Sequence, residues 1–435
     1  MNRDLTRGPV TKGMLLFALP MILGNLLQQF YNVADTLIVG QFLGATALAA
    51  VGSSYTLMTF LTSILLGMCM GSGAVFSIRF GEGDRARLKN SLSLSFLMIA
   101  GFTVVMNLAV FLLIDPMMGL LQVPEEVYPL MRSYLWVIFW GIGGTFLYNY
   151  FACLLRAIGN SATPLLFLGV SAVLNIVLDL VFVVVVPWGV AGAAFATSLS
   201  QWVSGLGLLA FTLAKMPQLR PSRQDVRWEK DRVLEIARFS LLTCVQQSVM
   251  NFGILMVQGL VNSFGTVVMA AFAAAVKIDS FAYMPVQDFG NAFSTFIAQN
   301  YGAKRMDRVG RGIKSAVVSS VVFALLISVL VFVFAKPLLL LFVKPEETEI
   351  LAVGVQYLRI EGAFYFGIGI LFLLYGLYRG HRAAGHEPGA DGHLPGHPGG
   401  PGVYSVSHPG HWGGGHLVER AHWLGPGGCY GCAVL

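Results

Sequence analysis

The sequence reads as an all-α polytopic membrane protein made of two homologous helix bundles related as parallel repeats, six helices in the first and four in the second. Two observations predict this. The 435-residue chain is 56% hydrophobic and only 11% charged, with a mean hydropathy of +0.70, more apolar side chain than a soluble core of this size can hide. Its halves also repeat: residues 111–126, FLLIDPMMGLLQVPEE, align without gaps on 332–347, FVFAKPLLLLFVKPEE, with six of sixteen positions identical.

Taken in order, the apolar runs predict ten spanning helices at about 14–41, 47–78, 90–114, 128–152, 163–186, 190–214, 234–262, 267–299, 312–335 and 350–378. The first follows MNRDLTRGPVTKG, which has no small-residue cleavage pattern after it, so this helix is expected to be retained. With the N-terminus in the cytoplasm, Arg3/Arg7/Lys12, Arg79/Arg85/Arg87/Lys89, Arg156, the 215–232 segment and Lys304/Arg305/Arg308/Arg311/Lys314 share one side. The opposite side receives the mixed or acidic 115–126 and 336–349 segments, as the positive-inside rule requires.

The repeat sets the domain organisation. The offset of 221 that aligns the two loops also pairs Gly44 with Gly265 and Phe80-Gly81 with Tyr301-Gly302, and Arg156 matches Arg379 two residues out of step. An even number of spans per repeat gives both bundles the same orientation, related by an axis along the membrane normal, with a site expected between them. The expected units are a bundle over 1–214, a cytoplasmic linker over 215–232 and a four-helix bundle over 233–380. Residues 381–435 change composition abruptly and hold all eight histidines. They read either as a His-rich metal-binding tail with Cys429 and Cys432 or, as favoured here, as an out-of-frame stretch standing where two more helices belong; no metal site is assigned.

Charge and chemistry exclude several classes. The +6 net charge is scattered through short connections rather than gathered in a patch, which argues against nucleic acid. Residues 1–380 contain no histidine and no nucleophile–base pair, so an enzyme is not expected. Cys69, Cys153 and Cys244 stand singly in apolar helices as small packing residues.

Against this apolar background the polar positions of the first helix are informative. Asn25, Gln28, Gln29, Asn32, Asp35 and Thr36 fall within about 120° of a helical wheel. A carboxylate facing lipid costs roughly 2.5–3.5 kcal/mol or more, so Asp35 must face protein or a water-filled cavity, either as a structural hydrogen-bonding group or as an ion or proton site. Pro20, on the same helix, removes a backbone donor and is a candidate bend point. In the fifth helix Ser171, Asn175 and Asp179 are four apart on one face, where Asn175 is expected to hydrogen-bond Asp179. Asp35 and Asp179, brought together away from water, would be reluctant to ionise at once. The second repeat carries Lys277, Asp279 and Asp288 around Pro285, read either as a mutually neutralising structural group or as part of a coupling or gating site.

In combination, the two six-helix repeats, the proline fifteen residues before an acid, the Asn-x-x-x-Asp of the fifth helix and the paired R-F-G and Q-N-Y-G-A loops resemble the multidrug and toxic compound extrusion (MATE) family of cation-coupled exporters. The resemblance covers residues 1–380. It implies that Asp35, Asn175 and Asp179, with Thr197 of the sixth helix, couple transport to H⁺ or Na⁺, and that a central cavity lined by apolar, aromatic and Met side chains holds small, amphipathic, often cationic organic molecules. It further implies a multi-pass plasma-membrane protein, expected to be a monomer, whose only partners are its substrates and the bilayer. The alternatives are a lipid-linked oligosaccharide flippase, expected to need several cavity arginines for pyrophosphate, and, more remotely, a membrane-embedded enzyme.

Overall fold

The structure is a computed structural model, and it describes residues 4–382 apart from 121, 122, 221, 223, 224, 263 and 265. The expected tail, 381–435, lies almost wholly outside the described residues.

Thirteen α-helices follow one another in the described chain. They are α1 (Val10–Leu43), α2 (Ala45–Glu82), α3 (Arg85–Leu112), the short α4 (Ile114–Leu120), α5 (Tyr128–Ile138), α6 (Ile142–Ala157), α7 (Ala162–Asp179), α8 (Val190–Lys215), α9 (Lys230–Asn262), α10 (Thr266–Gly302), α11 (Met306–Leu339), α12 (Thr348–Ala363) and α13 (Tyr365–Arg382). A 3₁₀ turn at Phe139–Gly141 joins α5 to α6 as one span, and a π-helical stretch, Leu180–Val185, prolongs α7. Among the described residues eight helices are long and apolar enough to cross a membrane, or nine if α12 and α13, bent by 50° at their junction, count as one. At 33 residues, α9 covers the seventh expected span, 234–262, and has the length to cross a membrane, although it is not one of those eight.

Several helices outrun their apolar runs, because charged ends continue the helix beyond the hydrocarbon. Asp84 shows how one such end is fixed: its side chain accepts the Arg87 N–H at 2.9 Å and caps α3. The sequence reading did not anticipate α4, whose Asp115 accepts bonds from Tyr128 and Arg132 and ties the loop to α5.

Apolar packing is distributed over four clusters rather than one core. The largest lies among α2 to α8 and another among α10 to α13. Two bridge the repeats. Met14, Phe17, Ala18 and Met21 of α1 pack on Phe289, Phe293, Phe296 and Ile297 of α10, while Val75 and Ile78 of α2 meet Ile236 and Phe239 of α9. The α2–α9 crossing is close because Gly67-x-x-x-Gly71 faces it: a Cβ on Gly71 would come within 2.6 Å of Ser240 Cα.

The end of the bundle that carries the basic loops is sealed. Arg79 bridges Glu82 and Glu235 at 3.0 and 2.9 Å, and Arg232 donates to Asn90 at 2.9 Å. Arg308 donates to the carbonyls of Leu5, Arg7 and Gly8 and to Asn300 Oδ1, stitching the segment before α1 onto α11. At the centre α2 and α10 cross backbone to backbone: Gly81 lies against Gln299, and Gly302 lies against Ile78. Each contact is the other shifted by 221 residues. The paired glycine loops therefore meet each other across a pseudo-twofold crossing.

Candidate functional site: an amide-rich cavity with a carboxyl pair

Beyond the seal the helices enclose a cavity of about 500 Å³, bounded by α1, α2, α5, α6, α8, α9, α10 and α13. The polar stripe of α1 faces it. Asn25, Gln28, Gln29, Asn32 and Asp35 all line the cavity, and only Thr36 turns back to bond the Asn32 carbonyl at 2.8 Å. Pro20 lies inside α1, which runs on past it. One turn earlier, Ser161 Oγ donates to the Phe17 carbonyl at 2.8 Å.

Asp179 is completely buried on α7, immediately before the π-helical stretch, and interacts with Asp35 across the α1–α7 interface. The expected Asn175–Asp179 hydrogen bond is not made among the described residues. Asn175 Nδ2 instead donates to Thr197 Oγ1 of α8 at 3.2 Å, and Ser171 Oγ donates to the Ser200 carbonyl at 2.9 Å. Residues four apart on α7 thus share a face, but that face is satisfied by α8. The result, among the described residues, is a set of buried oxygens without hydrogen-bond partners: Asp35 Oδ1, Asn175 Oδ1 and both carboxyl oxygens of Asp179. Orphaned buried acceptors are costly unless a proton or an oxygen-seeking cation joins them. Asp35, Asn175, Asp179 and Thr197 offer only oxygen toward such an ion, which suits a hard cation. Tyr31 and Tyr134 lie within electrostatic reach of both acids.

The second-repeat trio does not form one group. Lys277 is exposed, Asp279 is buried where Tyr365 donates to it, and Asp288 accepts from Asn25 Nδ2 at 2.7 Å. The nine-residue spacing of the two acids puts them on opposite faces of α10, with only Asp288 on the cavity. Sequence reasoning missed Glu361, which lies against Asp279 near the α12–α13 break, the two carboxyls facing each other among the described residues. The only sequence signal was an acid inside the tenth apolar run.

The cavity lining also departs from expectation. Tyr55, Tyr375, Met70 and Met284 are present, but amides from both repeats join them, with Gln246, Gln247 and Asn251 of α9 facing those of α1. Arg156, read in the sequence as a cation of the basic end, and its repeat counterpart Arg379 line the same cavity. A flippase is expected to need several arginines in the cavity, and these two stand there.

Membrane-crossing helices around one polar cavity, with buried carboxyls at its edge, define the class: a polytopic membrane transporter. The sequence matches the MatE family over residues 20–181 and 242–384, and the chain belongs to that family. It is 33% identical over 385 residues to the probable multidrug resistance protein YpnP of Bacillus subtilis, covering 86% of this chain and 84% of that one. It is 25% identical over 388 residues to the FAD transporter of Shewanella oneidensis, covering 86% and 82%. The fold also matches the outward-facing conformation of a multidrug resistance MATE family transporter, with a TM-score of 0.80 at 22% identity over 88% of this chain and 86% of that one.

Proposed function

We propose that the protein is a cation-coupled antiporter of the plasma membrane, N-terminus inside, that exports amphipathic organic molecules by alternating access between its two repeats. The observation that carries this reading is the cluster of orphaned buried oxygens on Asp35, Asn175 and Asp179. A proton or Na⁺ entering the cluster relieves their desolvation and removes the repulsion between the acids, so cation binding favours a different packing of α1 on α7. The available drive is adequate: one charge crossing 100 mV is worth about 2.3 kcal/mol, and one pH unit about 1.4 kcal/mol. On this topology the sealed end is cytoplasmic, and the cavity faces away from it.

The test is efflux from vesicles under imposed pH and Na⁺ gradients, with substrate affinity measured alongside. Asp35→Asn and Asp179→Asn keep shape and hydrogen bonding but cannot give up a proton. Each is expected to abolish uphill efflux while binding persists. Undiminished uphill transport by either variant overturns the coupling role of that residue. A second reading, movement of a lipid-linked pyrophosphate, is favoured by Arg156 and Arg379 in the cavity.

A further inference from the structure

We propose that Arg156 and Arg379 form a binding site for an anionic group, a carboxylate, sulfonate or phosphate, carried on the amphipathic body of the transported molecule. The inference rests on the transport reading and assigns its substrate class.

The two arginines hold corresponding positions at the C-terminal ends of α6 and α13, and both line the cavity. They stand directly against the seal, where Gln299 Nε2 donates to the carbonyl of Ala157, the residue after Arg156, at 2.6 Å. They also converge: the buried Cys153 thiol lies within electrostatic reach of both guanidinium groups.

Neither is neutralised by an ion pair. Arg156 makes no hydrogen bond or ion pair among the described residues, and its Nε is buried without a partner. Arg379 donates to Asn291 Oδ1 at 3.1 Å and to Gln246 Oε1 at 3.3 Å, both neutral amides, and its buried Nε also lacks a partner. One carboxyl, Asp288, lies in the field of Arg156, but it is already engaged by Asn25. Asp35, the other acid on the cavity wall, lies against Asp179 on α7.

A helix-capping role for Arg156 would show as bonds to the last carbonyls of α6, and none is present among the described residues. Two guanidinium groups in a walled cavity, one steadied by amides and the pair served by one carboxyl, are stabilised by an arriving oxyanion, whose geometry the guanidinium fork matches. Met70, Met284, Phe372 and Tyr375 offer an apolar surface to the rest of such a molecule.

The test uses the full 435-residue chain in phosphatidylcholine nanodiscs and two fluorescent probes that differ by one group. These are 8-anilinonaphthalene-1-sulfonate and its uncharged parent, N-phenyl-1-naphthylamine. The wild type is expected to prefer the sulfonate, after subtraction of empty nanodiscs. Arg156→Gln/Arg379→Gln is expected to weaken the sulfonate about tenfold or more and leave the parent unchanged. No sulfonate preference in the wild type, a comparison that needs no variant, overturns the proposal. An unchanged sulfonate affinity in the double variant does so too. Repeating the titration with phosphatidylglycerol in the nanodisc separates two sources of the anion: competition marks a lipid headgroup, and its absence a soluble anion. Gradient-driven efflux, assayed for both ethidium and the sulfonate probe, keeps the two readings apart. Efflux without sulfonate preference overturns the anion site alone, and preference without efflux overturns the antiport reading alone.

Discussion

Replacing Gly302 by alanine should open the sealed end. A Cβ at this position would press on the Ile78 carbonyl oxygen and lie 3.0 Å from its carbon and 3.1 Å from Glu82 N. All three atoms are α2 backbone, which cannot rotate aside like a side chain, so α2 and α10 must separate. Overpacking of this kind costs roughly 1–3 kcal/mol. The penalty exists only while the helices are crossed, so it acts on the conformational equilibrium; about 2 kcal/mol moves a two-state population some 30-fold. Spin labels at Arg87 and Arg311, both exposed at the sealed end, would report the separation by pulsed dipolar spectroscopy in a background whose native cysteines are replaced. A longer-distance population is expected in Gly302→Ala. Gly310→Ala is the control, because nothing lies within 4 Å of its added methyl. An identical distance distribution in wild type and Gly302→Ala would refute the argument that this crossing holds the end shut.

Arg79→Gln should destabilise by about 3–5 kcal/mol, because it strands the largely buried Glu235, with thermal unfolding in detergent as the measure. Asp115→Asn should leave the melting temperature within error, because its pair with Arg132 is about half exposed on both sides and exchanges readily with water. Arg308→Gln should release the segment before α1, which depends on three carbonyl contacts to that side chain, and limited proteolysis there should speed up at least about tenfold. Thr197→Val removes the acceptor of Asn175 Nδ2 and should cost roughly 1–3 kcal/mol of stability, read by thermal unfolding; no change would show the bond to be dispensable.

Much of this protein is determined by the sequence alone, because the governing forces there are local or periodic. Apolar length specifies the spanning helices. The polar stripe of α1 foretells which side of that helix meets water, since a 3.6-residue period needs no partner to define a face. The repeat likewise places Gly81 and Gly302 at corresponding sites. What the sequence leaves open is which faces meet, and at what depth. Asn175 and Asp179 share a face, yet the α7–α8 register gives Asn175 to Thr197 and leaves the acid bare. Arg156 reads as a cation of the basic end because a linear sequence records proximity to a helix end, while packing decides whether that end faces solvent or a cavity wall. Glu361 reaches Asp279 because α12 packs against α10, a pairing that the linear sequence does not specify. Helix period fixes directions around one axis. Crossing depth and register arise only when backbones close on one another, as at Gly81 and Gly302, and those contacts turn a set of apolar spans into a cavity closed at one end, with two arginines at its base.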